Sequence, residues 1–268
     1  MKSLAALILA ASLSAACSAE VVQFLATDGD RLYRGDSTGN VDPFVTLSAG
    51  IQSLTRVPLG YSVFGASAGD LIATAHSAVG GAWAVYRVDD ALGNPTLTQI
   101  GSSSFGIGSI AFANGQVYAV NDSANPLRVA RLNTDFSTAE TFSTGLSISG
   151  GGGIAYDDAA GRFYLTDYTN NRLMAWNPGG NATVIGPVGF GFQNNGLEFF
   201  HDVLYGALRL DSPGSRMRLG YFDTATGAFT TQATIDGILG NGTGFVTVPA
   251  PGTLGLLGGV LVVRRRRR

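Results

Sequence analysis

The sequence predicts an all-β fold made of repeated short-stranded units, and three observations carry that prediction. The stretches GIGSIAFANGQVYAVNDS, GGGGIAYDDAAGRFYLTDYT and QNNGLEFFHDVLYGALRL share one plan: Gly, an apolar strand with an aromatic, a turn, a strand containing Tyr, then a polar loop. Ile110, Ile154 and Leu197 take corresponding places, 44 and 43 residues apart, and Phe245 in GTGFVTV follows after another 48. Second, beyond the first twenty residues no window holds a long 3.6-residue apolar period, whereas two-residue alternation is plain in Phe163-Tyr164-Leu165-Thr166. Third, 38 glycines, abundant Ser and Thr and only 13% charged residues are the balance of a turn-rich β protein. Short strands repeating at this period are what a single β-propeller needs, because one four-stranded sheet cannot bury both faces without neighbours.

The elements follow in chain order. Lys2, the apolar run Leu4 to Ser14 and the small residues Ala15-Ala16-Cys17-Ser18-Ala19 have the layout of a signal peptide over residues 1–19, cut by signal peptidase after Ala19. Lipidation of Cys17 is the alternative, although Ser14 stands where a lipobox carries Leu. Cleavage after Ala19 leaves a mature chain without cysteine, which removes disulfides, thiolate metal sites and cysteine nucleophiles together.

Residues 20–248 are enough for one large β domain. Its first stretch, QFLATDGDRLYRGDSTGNVDPFVTLS, reads as strands two to four of a blade that lacks its innermost strand, and GTGFVTV at the far end is an isolated first strand. The termini are therefore expected to complete one blade together, closing the ring by hydrogen bonds and leaving no open edge. Units starting near Ile51, Ile110, Ile154 and Leu197 bring the total to five blades; six is the alternative, because Leu54 to Ile110 is longer than the other intervals. Within one unit, Gly153 to Tyr156, Arg162 to Thr166, Arg172 to Trp176 and Ala182 to Ile185 are strands from innermost to outermost. Asp157-Asp158 and Asn177-Pro178-Gly179-Gly180 are the turns. The segment LTDYTNNRLMAW resembles the Asp-x-x-Asn-x-Arg-[Ile/Leu] core of an NHL-type repeat, through Asp167, Asn170 and Arg172. The resemblance implies that Asp167 braces the turn and that Arg172 crosses the loop to pair with backbone or carboxylate.

The last segment, residues 249–268, has a different character. After Pro249-Ala250-Pro251 come the apolar residues Leu254, Leu256, Leu257, Val260, Leu261, Val262 and Val263, then five arginines, Arg264, Arg265, Arg266, Arg267 and Arg268. Such a run partitions into a bilayer while the guanidinium cluster stays on the cytoplasmic side. From Gly252 to Val263 it would span about 18 Å as a helix against a hydrocarbon core of roughly 30 Å, which suits a temporary anchor. Pro-x-Pro, a Gly/Leu/Val run and a terminal arginine cluster resemble the PEP-CTERM sorting signal, with Ala250 where that family usually carries Glu. The resemblance implies export, processing by an exosortase-type membrane protease, and placement at the cell envelope, the cell surface or outside the cell, in settings associated with exopolysaccharide.

Charge and residue types narrow the chemistry. Without Lys2 and the terminal arginines, 11 of the 17 basic residues remain against 19 acidic ones, so the domain carries about −8 and has no lysine. Nucleic acid is a poor partner for such a surface, since clustered Lys and Arg supply most of that affinity. His76 and His201 each stand alone, no Gly-x-Ser-x-Gly elbow occurs, and Gly150 to Gly153 lacks the Lys and the following helix of a phosphate cradle. No catalytic residue, metal or cofactor is assigned. The expected function is a binding or structural protein of the envelope or matrix, with Trp83, Tyr168 and Trp176 as aromatic candidates for stacking on a polysaccharide, or a protein of the envelope as partner. The alternative is a Ca²⁺-dependent hydrolase like the lactonase propellers, in which Glu198, Asn194, Asn195 and Asp167 would supply oxygen ligands in the central channel. Fold alone does not choose between them.

Overall fold

The structure of the protein, a computed structural model, describes residues 21–42, 44–76, 82–121, 125–147, 151–210, 216–238 and 243–248. The signal peptide expected over 1–19 and the tail 249–268, with Pro249, Pro251, the apolar run and the arginine cluster, lie outside the described residues. Among the described residues the chain is all strand and turn, with five four-stranded sheets and one two-stranded hairpin.

Each sheet is one blade of a five-bladed propeller. Blade 1 combines β22 (Phe245–Val248) from the end of the chain with β1 (Gln23–Thr27), β2 (Gly29–Asp36) and β3 (Val45–Ile51) from its start. Blade 2 is β4 (Ser53–Arg56), β7 (Leu71–His76), β8 (Trp83–Asp89) and β9 (Thr96–Ser103), with the small hairpin β5 (Ser62–Val63) and β6 (Ala66–Ser67) inserted after its first strand. Blade 3 is β10 (Ser109–Ala113), β11 (Gln116–Asn121), β12 (Arg128–Leu132) and β13 (Thr138–Ser143). Blade 4 is β14 (Gly151–Asp157), β15 (Arg162–Asp167), β16 (Arg172–Trp176) and β17 (Thr183–Pro187). Blade 5 is β18 (Phe192–Phe200), β19 (Val203–Leu210), β20 (Arg216–Phe222) and β21 (Phe229–Asp236).

The extra length between Leu54 and Ile110 is thus a hairpin insertion and not a sixth blade. Blade 2 begins at Leu54, whose partner Ala73 matches the pairs Ile110 with Ala119, Ile154 with Leu165, Leu197 with Gly206 and Phe245 with Ala26. Ile51, the start expected for that blade, is the last residue of β3. The ring closes because β22 pairs with β1 antiparallel from Phe245 against Ala26 to Val248 against Gln23.

The core is divided among the blade interfaces, and this division explains why the strands are buried on both faces. Along β15, Phe163 and Leu165 pack toward blade 3 with Tyr118 and Val120, while Tyr164 packs toward blade 5 with Leu197 and Leu204. The corresponding clusters join blades 2 and 3 through Ile72 and Ile110, blades 1 and 2 through Leu25 and Leu54, and blades 5 and 1 through Met217 and Phe245. A side chain of Val/Leu/Phe size contributes roughly 1.5–3 kcal/mol when fully buried, so an interface of several such residues holds one blade to the next without disulfides.

Glycine before the apolar strand has a steric cause at two of the interfaces. A Cβ on Gly196 would sit 2.6 Å from the backbone N of Phe245, and one on Gly244 would sit 2.6 Å from the backbone N of Leu54. The innermost strands approach too closely there for any side chain, which sets the Gly-apolar start of the repeat.

Candidate channel-mouth site

The five innermost strands, β4, β10, β14, β18 and β22, touch in ring order, and each pairs within its sheet on one side only. Their second edges therefore line a central channel. At the C-terminal ends of these strands the channel widens into a pocket of ≈ 200 Å³ bounded by Arg56, Phe112, Tyr156, Glu198, Phe199 and Phe200, with Thr55, Pro58 and Asp158 at its border. This is below the roughly 300–1,000 Å³ of sites for drug-sized ligands and suits a one-ring group or the end of a chain.

Register explains which side chains meet there. Two residues past the aligned apolar position, the blades carry Arg56, Phe112, Tyr156, Phe199 and Thr247; one residue past it they carry Thr55, Ala111, Ala155, Glu198 and Val246. Alternation along a strand sends Glu198 to the face opposite Leu197, and so from blade 5 toward blade 1. Arg56 shares the face of Leu54 and points from blade 2 toward blade 1. Both meet the backbone of one residue of β22: Thr247 donates its backbone N–H to Glu198 Oε2, and Arg56 Nη2 donates to the carbonyl of Thr247. Arg56 Nε and Thr247 Oγ1 are buried without a hydrogen-bond partner among the described residues.

Burial dominates the electrostatics. It pushes the Glu198 carboxyl up from its ordinary 4.5 to about 7, against the lowering effects of the Thr247 N–H and the Arg56 charge. Burial likewise pulls the Arg56 guanidinium below its usual value, and the Glu198 charge restores part of it. A carboxyl that titrates near neutrality at the mouth of a channel is a site candidate in its own right.

The other residues singled out in the sequence lie elsewhere. Asp167 is fully buried at the end of β15: it accepts from Asn170 N at 3.1 Å, Asn170 Nδ2 at 2.8 Å and Arg172 Nε at 2.7 Å. Asn195 is buried, with its Oδ1 accepting from Thr166 Oγ1 at 2.8 Å. Glu198 borders the pocket, Asn195 and Asp167 are not among the residues that line it, and the Asn194 side chain is outside what the structure describes. Among the described residues, no three Asp, Glu, His or Cys side chains gather in a way that could hold a metal ion. Trp176 is a core residue and not a rim residue: it is 2% exposed, packs on Phe163 and Phe142, and donates its indole N–H to Gly180 O at 3.0 Å. Trp83 is half-buried, edge-on to His76, and Tyr168 is half-buried against the interface of blades 4 and 5.

No known family profile matches the chain, and no curated protein does. Solved structures do. A chain of a nidogen/laminin complex superposes with a TM-score of 0.50 at 15% identity, covering 84% of this chain and 98% of that one. Virginiamycin B lyase from Staphylococcus aureus gives 0.42 at 16% identity, over 83% of this chain and 64% of the lyase. A protein proposed to be a gluconolactonase gives 0.43 at 13% identity, over 80% and 72%. At such identities the likeness is one of fold; the ring described above makes the chain a five-bladed β-propeller.

Proposed function

We propose that this protein is an exported β-propeller that serves as a binding or structural component of the cell envelope or extracellular matrix. In this reading its tail is recognised by an exosortase-type protease after transient anchoring in the membrane, and the channel mouth is its ligand site. The observation that carries the binding role is the engagement of Glu198: its Oε2 receives the Thr247 N–H while Arg56 holds the Thr247 carbonyl, so groups from three blades fix one wall of the channel. A wall fixed in this way presents a ligand with a preformed surface.

One observation favours the second reading, a Ca²⁺-dependent lactonase-like hydrolase. Glu198 titrates at about 7, where a general base works best at neutral pH. Thermal unfolding in millimolar Ca²⁺ and in chelator separates the two. The binding role predicts superimposable transitions; a calcium-dependent rise in Tm that Glu198→Gln abolishes would favour the hydrolase.

A further inference from the structure

We infer that the channel mouth takes a single neutral pyranose ring, the end or a branch of a polysaccharide; this rests on the binding role proposed above and names its ligand class. The pocket has room for one ring, and its border alternates apolar rings with hydrogen-bonding groups. Phe112, Tyr156, Phe199 and Phe200 come from three different blades and supply the apolar faces on which the C–H side of a sugar ring rests.

Around them stand both kinds of polar group. Tyr156 OH accepts from Asn114 Nδ2 at 2.9 Å, which leaves its own proton to donate. Arg56 adds a guanidinium to the border. Asp158, exposed on the turn after β14, adds a carboxylate acceptor. A hydroxylated ring, each OH both donor and acceptor, matches such a mixed border, whereas a purely apolar ligand would leave the buried polar groups unpaired.

Charge selects among sugars. Glu198, Asp158 and one cation, Arg56, border the pocket, and the whole domain is acidic. A uronate or phosphate on the ring would meet the Asp158 carboxylate within an acidic domain, and a neutral hexose meets no such penalty.

Titration calorimetry of the full chain with neutral hexose tetrasaccharides, beside tetrauronates of equal length, tests this. Phe200→Leu removes a ring from the border and Asp158→Asn removes an exposed charge, and unchanged unfolding curves would show that both variants fold. The expected result is saturable binding of a neutral tetrasaccharide, absent or weaker with the uronates, and reduced about tenfold by Phe200→Leu. Equal or tighter binding of uronates, or neutral-sugar binding that both variants leave unchanged, overturns the inference. If no oligosaccharide binds while the protein still co-sediments with the envelope of its own cells, the sugar assignment is overturned and the binding role stands. If lactone turnover is lost in Glu198→Gln, the binding role falls with it.

Discussion

Glu198 of blade 5 accepts the backbone N–H of Thr247, a residue of the strand that the end of the chain lends to blade 1. The pair joins two blades at the seam where the ring closes, and Arg56 of blade 2 holds the carbonyl of the same residue from the other side. A partly buried carboxyl at this place makes the closure sensitive to pH.

The sign of that sensitivity follows from linkage. The folded protein holds the Glu198 proton up to about 7, whereas the unfolded chain releases it near 4.5, so the folded state binds more protons between these values. The contribution of this group is therefore full below pH 4.5 and falls as pH rises toward 7, by an amount on the order of 1–3 kcal/mol. Asp36, Asp89, Asp135 and Asp223 are held low by hydrogen bonds, chiefly from Thr38, Arg87, Ser137 and Ala225, so their stabilising effect is lost only on acidification through their folded values below 3.8. Urea unfolding of the wild type from pH 4.5 to 8 should slope downward, and Glu198→Gln should flatten that slope. A slope that survives the substitution would assign the effect to another group.

Ring closure gives a second expectation. Phe245, Val246 and Val248 are buried, each worth roughly 1.5–3 kcal/mol, against a total domain stability of about 5–15 kcal/mol. Ending the chain after Val248 should leave the unfolding transition where it was. Ending it after Gly244 should abolish the single cooperative transition, as read by circular dichroism; an unchanged transition there would show that β22 is dispensable to the fold.

The turn after β15 supplies a third. Asp167 is fully buried while the side chain of Arg172 is 27% exposed. Asp167→Ala frees the donors of Asn170 and strands a partly hydrated guanidinium, and should cost about 2 kcal/mol or more in thermal or chemical unfolding. Asp167→Asn, which keeps an acceptor, should cost less. Equal losses would mean that packing and not the polar cage matters there.

Much of the ring was legible because repetition exposes it. The equivalent positions Ile110, Ile154, Leu197 and Phe245 share one register against their second strands, and the isolated strand at Phe245 announced the closure. The start of blade 2 was harder to see, because Leu54 lacks the glycine that directly precedes Ile154, Leu197 and Phe245, and an inserted hairpin lengthens the interval to Ile110. Trp176 misled as a rim aromatic because its neighbours in space, Phe142 and Phe163, come from other strands. The site residues Arg56 and Thr247 went unnoticed, although a signal existed. Once the blades are aligned, Glu198 is the lone charged residue one place past the apolar start, and Arg56 the lone charged residue two places past it. That both reach the backbone of one residue, Thr247, depends on the ring being closed, and no single strand contains this information.

The central claim, an exported propeller whose tail is cut after serving as an anchor, is tested most directly by the intact mass of the protein recovered from its native envelope and culture medium. The account predicts a chain that begins at Glu20 and ends between Pro249 and Pro251. A mass that retains the five terminal arginines through Arg268 would contradict tail processing and leave a propeller still tethered at the membrane.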